Sequence, residues 1–337
     1  MVRIAVDAMG GDYAPLAIVR GAEAASAEKV GEVVLVGDEN VIAPLLKVRS
    51  GIEIVHAPVA VEMKESPSAA LRKKKDSSVN KAFGLLKSGS VQAVVSAGNS
   101  GAVMAFAIFT LGRIPGVERP AILTIHPNVL GTRSILLDAG GTVDCRPSHL
   151  VQFAVMGNVF AKYALGVETP KVGILSNGEE ETKGNELTRE THVLLKDADL
   201  NYMGYIEGTD LYNGMADVVI TDGFVGNVAL KVSEGMAEAI IGVLKEKVAG
   251  SIRARMGYLL LSGVFKALSR MVDYSEYGGA PLVGVDGVCI ICHGKSNERA
   301  IKNAIVQAKG FVGKNISGRI KDAMQKYVSL AKGGKEH

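Results

Sequence analysis

The 337-residue sequence predicts an α/β protein: a three-layer αβα arrangement around a mostly parallel sheet. Three observations carry that expectation. Short runs rich in Val, Ile and Leu recur along the chain, and most are apolar throughout, as in strands covered on both faces. Stretches with helical spacing alternate with these runs. Glycines cluster just after the apolar runs, where a chain leaving a strand must turn.

Strands are expected over 3–9, 32–38, 52–58, 92–98, 121–127, 134–140, 171–177, 202–208, 217–223 and 287–294. Between them fit helices over 14–28, 79–88, 101–112, 147–165, 184–197, 225–248, 253–272 and 297–309. A chain of this length buries a sizeable core and predicts two lobes. The glycine-rich break "DAGGTVDCRP" (138–147) sets a boundary near residue 145. The first lobe is expected to combine 1–145 with 285–337, and the second to take 146–284.

With 38 basic and 35 acidic residues, the charge is too balanced to point to a nucleic-acid partner. The opening "MVRIAVDAMGG" enters a strand pattern at once, and no apolar stretch is long enough to span a bilayer. With only three cysteines, a reduced, cytoplasmic chain is expected. "CIICH" (289–293) fits a haem-attachment spacing, but it lies in an apolar strand where Cys289 and Cys292 would point to opposite faces. They read as small buried hydrophobes.

Ligands of open α/β sheets bind beyond the carboxyl ends of strands. After the first strand, "DAMGGDYAP" (7–15) is a glycine turn whose aspartates either cap a helix or bond a ligand. "SAGNSGAVM" (96–104) runs from a strand into an apolar helix, with Asn99 and Ser100 at a helix start whose amides suit an anion. "TDGFVGNVALK" (221–231) repeats the arrangement; Asp222 follows the strand, and Asn227 either caps the helix or reaches a ligand. "HGKSNERA" (293–300) resembles the end of a P-loop but lacks its first glycine. It reads as a simpler phosphate site, with charge from Lys295 and a hydroxyl from Ser296, beside His293. "SNGEEETKGNE" (176–186) holds three adjacent glutamates and one lysine between glycines. Adjacent carboxylates in an extended loop diverge, so no metal site is expected. The lysine, Lys183, is the candidate, with Glu180 orienting it. No G-x-G-x-x-G, zinc spacing or Ser-His-Asp set competes, and the whole suits a phosphate-bearing substrate.

The blocks "VDAMGGDYAP", "SPSAALRKKKDSS" (66–78), "SAGNSGA", "LDAGG" (137–141), "SNGEEETKGN", "TDGFVGN", "YGGAPLVGVDG" (277–287) and "HGKSN" resemble one bacterial family, the acyl-[acyl-carrier-protein]:phosphate acyltransferases of phospholipid synthesis. The resemblance runs from Arg3 to about Lys309. It implies a fold similar to phosphotransacetylase and to isocitrate and isopropylmalate dehydrogenases, and a homodimer without metal or organic cofactor. The implied reaction moves a fatty acyl group from acyl carrier protein to inorganic phosphate. The acyl phosphate then feeds a separate membrane-bound glycerol-3-phosphate acyltransferase. A phosphotransacetylase-type enzyme using acyl-coenzyme A and a membrane-associated scaffold are the alternatives.

On that reading Lys183 and Lys295 neutralise phosphate, and the amides near Asn99, Ser100 and Ser296 complete the cradle. Asn227 and Asn177 are candidate donors to the thioester oxygen, and His293 protonates the leaving thiolate. Ser176, Glu180 and Asp222 complete the expected substrate set. The stretch 253–273 is basic and amphipathic: Leu260, Leu261 and Phe265 lie on its apolar stripe, with Arg253, Arg255, Lys266 and Arg270 charged. It is expected to serve a dimer or core contact, a peripheral membrane contact, or docking of the acidic carrier protein. "RKKK" (72–75) is a solvated loop or steers that acidic partner.

Overall fold

A computed structural model describes residues 1–265 and 274–333. Its strands are β1 (Arg3–Asp7), β2 (Glu32–Gly37), β3 (Ile52–His56), β4 (Ala93–Ser96), β5 (Ala121–Pro127), β6 (Arg133–Leu137), β7 (Val172–Leu175), β8 (Tyr202–Ile206), β9 (Val218–Ile220), β10 (Ala280–Val283) and β11 (Val288–Ile291). They form one sheet in the order β3-β2-β1-β4-β11-β10-β5-β6-β9-β7-β8, so strands from both expected lobes share it.

Why the strands are apolar throughout is visible in the core. Along β1 and β2, Ile4, Val6, Val33 and Leu35 belong to the apolar cluster on one face, while Ala5, Val34 and Val36 belong to that on the other. Side chains alternate across a strand, so only a sheet covered on both sides needs every position apolar. Each fully buried Val, Leu or Ile contributes about 1.5–3 kcal/mol. Cys289 and Cys292 divide between the two faces in the same way, and burial raises both thiols, Cys292 to about 12.

The sheet is two parallel halves joined by an antiparallel centre. Strands β3, β2, β1, β4 and β11 run together, as do β6, β9, β7 and β8. Between them β10 is antiparallel to β11 and to β5, and β5 is antiparallel to β6. The halves therefore run in opposite directions. Through the registers Ala280↔Ile291, Leu282↔Ile122 and Leu123↔Leu137, the carboxyl ends of β11 and β6 stop at nearly the same level of the centre. The helices Ser100–Leu111 and Gly223–Ala249, leaving β4 and β9, share one core cluster over this centre through Val103, Ile122, Leu230 and Leu282.

All ten expected strands are present, within a few residues at their ends. Strand β10 is the addition. It has four residues, contains Pro281 and sits between glycines, which reads as a loop; proline lacks the N–H of a ladder residue. The helices Pro67–Lys73 and Ile316–Gly333 are also additional. The helix expected over 253–272 is Ile252–Leu260, followed by a turn at Leu261; residues 266–273 lie outside the described part.

Candidate active site

A cavity of about 520 Å³ opens over the face of β5 where the half-sheets meet. That is within the usual range for a small-molecule site. Its walls come from β5, the turn after β6, the helix Gly223–Ala249, the segment 277–280 and the end of β11. Of the residues expected from the sequence, Ser100, Asn227 and His293 line it.

Asn227 owes its place to a buried carboxylate. Asp138, at the end of β6, accepts backbone N–H groups from Ile122 (2.8 Å), Gly140 (3.2 Å), Gly141 (2.9 Å) and Thr142 (2.5 Å). This folds "DAGG" into a tight turn. The start of the helix Gly223–Ala249 rests on that turn: Gly223 N–H donates to Thr142 O at 2.8 Å. A Cβ on Gly226 would sit 1.9 Å from the Asp138 carbonyl oxygen, so only glycine permits the approach. Helix capping falls to Asp222, whose Oδ1 accepts from Phe224 and Val225 N–H, both at 2.9 Å. Asn227 is therefore no cap; its side chain lies against Gly140 in the cavity wall.

His293 stands opposite, at the end of β11. Its Nδ1 accepts the Lys295 backbone N–H at 3.2 Å, so a neutral ring carries its proton on Nε2. Burial, and then Lys231, push its pKa below the ordinary value, which keeps the ring neutral near pH 7. Lys231 and Glu234 also line the cavity and pair at 2.6 Å. Sequence reading missed both, although Asn227 and Lys231, four apart on one helix, necessarily share a face. Ser296 is buried with its hydroxyl lacking a partner among the described residues. It lies under the turn after β11 and, like Lys295, is not in the cavity lining.

Asn99 is taken up structurally. Its Oδ1 accepts from Ala102 N–H at 3.0 Å, capping the helix, and its Nδ2 donates to Met63 O (2.8 Å) and Glu65 O (3.0 Å). The cap leaves Ser100 exposed at the cavity rim.

The 176–186 loop follows β7, two strands from β6, and none of its residues is in the lining. Asn177 Oδ1 accepts from Gly184 N–H at 2.9 Å and from Ser176 Oγ at 3.4 Å, closing the loop on itself. Lys183 Nζ lies 4.0 Å from Glu180 Oε2, and both side chains are exposed. The neighbouring Glu181 turns away to Lys196 at 2.6 Å. The glutamates thus diverge. Among the described residues no group of three or more His, Cys, Asp or Glu is placed to hold a metal ion.

Arg253, Leu260 and Leu261 are exposed, and Arg255 folds back onto the Ala249 carbonyl. Phe265 stacks on Tyr258 with ring centroids 5.1 Å apart. Lys266 and Arg270 lie outside the described residues. Among the described helices none is long and apolar enough to cross a membrane.

Residues 2–319 match the family model described as "fatty acid synthesis protein". The chain is 52% identical over 328 residues to the phosphate acyltransferase of Geobacter sulfurreducens, covering 96% of this chain and 94% of that protein. It is 54% identical over 327 residues to that of Citrifermentans bemidjiense, covering 96% and 93%. Among solved structures it is similar to a phosphotransacetylase from Streptococcus pyogenes, with a TM-score of 0.63 at 18% identity, over 91% of this chain and 93% of that one. It is also similar to 4-hydroxythreonine-4-phosphate dehydrogenase from Klebsiella pneumoniae, with a TM-score of 0.55 at 12% identity, over 93% and 100%. These two likenesses concern the fold. The sequence matches reach further: the chain belongs to the phosphate acyltransferase family and is an enzyme.

Proposed function

We propose that this enzyme transfers a fatty acyl group from acyl-[acyl carrier protein] to inorganic phosphate. The observation that carries the reading is the cavity where Asn227, Lys231 and His293 meet at opposed strand ends, in a chain of this family. A phosphate oxygen attacks the thioester carbonyl carbon, and the new C–O bond leaves a tetrahedral oxyanion. Its collapse breaks the C–S bond, and the pair goes to sulfur. The proton released by hydrogen phosphate ends on the sulfur, while the neutral His293 ring keeps its own proton and offers Nε2–H as a hydrogen bond to the departing thiolate. Holding both reactants in register removes much of the entropic barrier. Asn227 supplies a preorganised donor to the oxyanion, an interaction typically worth about 3 kcal/mol. Lys183 and Lys295 neutralise phosphate, with helix-start amides near Ser100 and Ser296 completing its cradle.

The product feeds acylation of glycerol 3-phosphate by a membrane-bound partner enzyme. A homodimer is supported by the exposed stripe Val228, Val232, Met236, Ile240 and Val243 along the long helix. Peripheral membrane contact is supported by the exposed Ile252, Met256, Leu259, Leu260 and Leu261 beside Arg253 and Arg255. The deciding experiment measures phosphate-dependent thiol release from acyl-carrier-protein and acyl-coenzyme A thioesters. Release from the carrier thioester is expected. Exclusive use of acyl-coenzyme A would assign the enzyme to the phosphotransacetylase type, and no release from either would remove the reading.

A further inference from the structure

The cavity holds a pair of charged side chains to which the reaction above gives no task. Among the described residues that line it, Lys231 is the one lysine or arginine, and Glu234 is the one carboxylate. They pair with each other, Lys231 Nζ to Glu234 Oε2 at 2.6 Å. Asn227, Lys231 and Glu234 stand at i, i+4 and i+7 of the helix Gly223–Ala249, so they form one stripe along the cavity wall. Side chains of a helix lean toward its amino end, which carries both charges back toward Asn227. Their fields also reach His293: burial lowers its pKa first, Lys231 adds to that, and Glu234 opposes it.

A lysine alone would attract an anion more strongly than this pair does. A carboxylate in the same wall repels any oxyanion and cancels part of the attracting charge. That penalty is offset only by an anion that brings its own proton. Near neutral pH phosphate still carries an O–H, whereas sulfate, of the same tetrahedral shape, carries none. A carboxylate has lone pairs on both oxygens, so Glu234 can hold the lysine through one and accept a P–O–H as a charge-assisted bond. The ammonium has three donors, enough to serve Glu234 and the ionised oxygens of the same phosphate. Lys183 and Lys295, the cations that the reaction gives to phosphate, are not in this lining.

We infer that the Lys231–Glu234 pair selects the attacking anion: Lys231 binds the ionised oxygens of hydrogen phosphate, Glu234 accepts its remaining O–H, and sulfate is turned away. The inference rests on the acyl-transfer reading and names the side chains that choose its second substrate. A sulfate held here would occupy the place of the nucleophile. Gripping the O–H also orients the phosphate, because the protonated oxygen is pinned at Glu234 and an ionised oxygen is left to attack. The O–H so held is the proton that the reaction releases.

The test measures thiol release at fixed ionic strength, balanced with sodium chloride, with sulfate competing against phosphate. In the wild type, sulfate is expected to inhibit about ten- to a hundredfold more weakly than phosphate binds, the range of one unmet partner beside a charge. Glu234→Gln, whose amide can donate to sulfate, should tighten sulfate inhibition by about that factor. Lys231→Met should raise the phosphate KM by about tenfold or more, with the thioester KM and melting temperature little changed. Isothermal titration with inorganic phosphate and with sulfate reads the same preferences in a variant too slow to assay. Three results would each overturn this assignment alone: sulfate inhibiting the wild type as strongly as phosphate binds, a Glu234→Gln enzyme no more sensitive to sulfate, or a Lys231→Met enzyme with unchanged phosphate affinity. Absence of phosphate-dependent thiol release from every thioester overturns the acyl-transfer reading, and this assignment with it.

Discussion

Burial raises the pKa of Asp138 to about 6, although four backbone N–H groups pull it down. The folded value lies above the reference of 3.8, so the group's contribution to stability is complete below about pH 4 and lost as pH rises through 6. Two units correspond to about 3 kcal/mol. Asp138→Asn removes the titration. Urea unfolding should therefore show the stability gap between wild type and variant shifting in favour of the variant from pH 4 to pH 7; a gap constant over that range would contradict the assignment. Lys183→Ala and Lys295→Ala should each raise the phosphate KM, with the thioester KM little changed. If both leave phosphate KM and turnover untouched, neither lysine binds the anion. The candidate loops were legible because glycine, asparagine and lysine stand out beside apolar runs. The environment of each side chain was not. Nothing in "TDGFVGN" says that Asp222 takes the cap and frees Asn227, since both residue types cap equally well. Lys231 and Glu234 were hidden more completely, because three apart on a helix they read as an ordinary surface pair.

At the scale of elements, periodicity found the strands because a sheet covered on both faces demands apolar residues at every position, a signal strong even over four residues. It did not find β10, whose pairing is decided by its neighbours: Pro281 and Leu282 gain strand geometry only by lying between β11 and β5. The junction between the "DAGG" turn and the long helix is a second case in which contact outweighs local preference. Gly226→Ala should improve helix propensity by about 1 kcal/mol. A methyl group placed 1.9 Å from the Asp138 carbonyl oxygen instead requires the helix start to move. The expected outcome is a net loss of stability, on the order of the 1–3 kcal/mol of an overpacked core. A larger loss of kcat should accompany it, because Asn227 moves too. Unchanged melting and turnover would show that the turn and helix do not depend on each other.

At the scale of the molecule, the stripe of the long helix and the segment beyond it are exposed apolar surfaces whose proposed partners differ. Met236 and Ile240 are 60% and 57% exposed on the stripe of the long helix, and Leu260 is 87% exposed beyond it. Sedimentation equilibrium should find a dimer that the double variant Met236→Glu, Ile240→Glu converts to monomer, while Leu260→Glu leaves it intact. Flotation with anionic vesicles should show the converse: Leu260→Glu loses the lipid fraction. If the wild type is monomeric, the stripe has another role.

The order in which the strands are made has its own consequence. β4 and β5 follow one another closely in the chain, yet β11 and β10 lie between them in the sheet. A ribosome completes β1–β4 and β5–β9 long before it delivers residue 280. Until then each of these two groups has an unpaired inner edge, β4 on one and β5 on the other, and each edge is a template for wrong pairing. The last strands made are the keystone of the sheet. Nascent chains halted before Ala280 should therefore be the ones most dependent on chaperones.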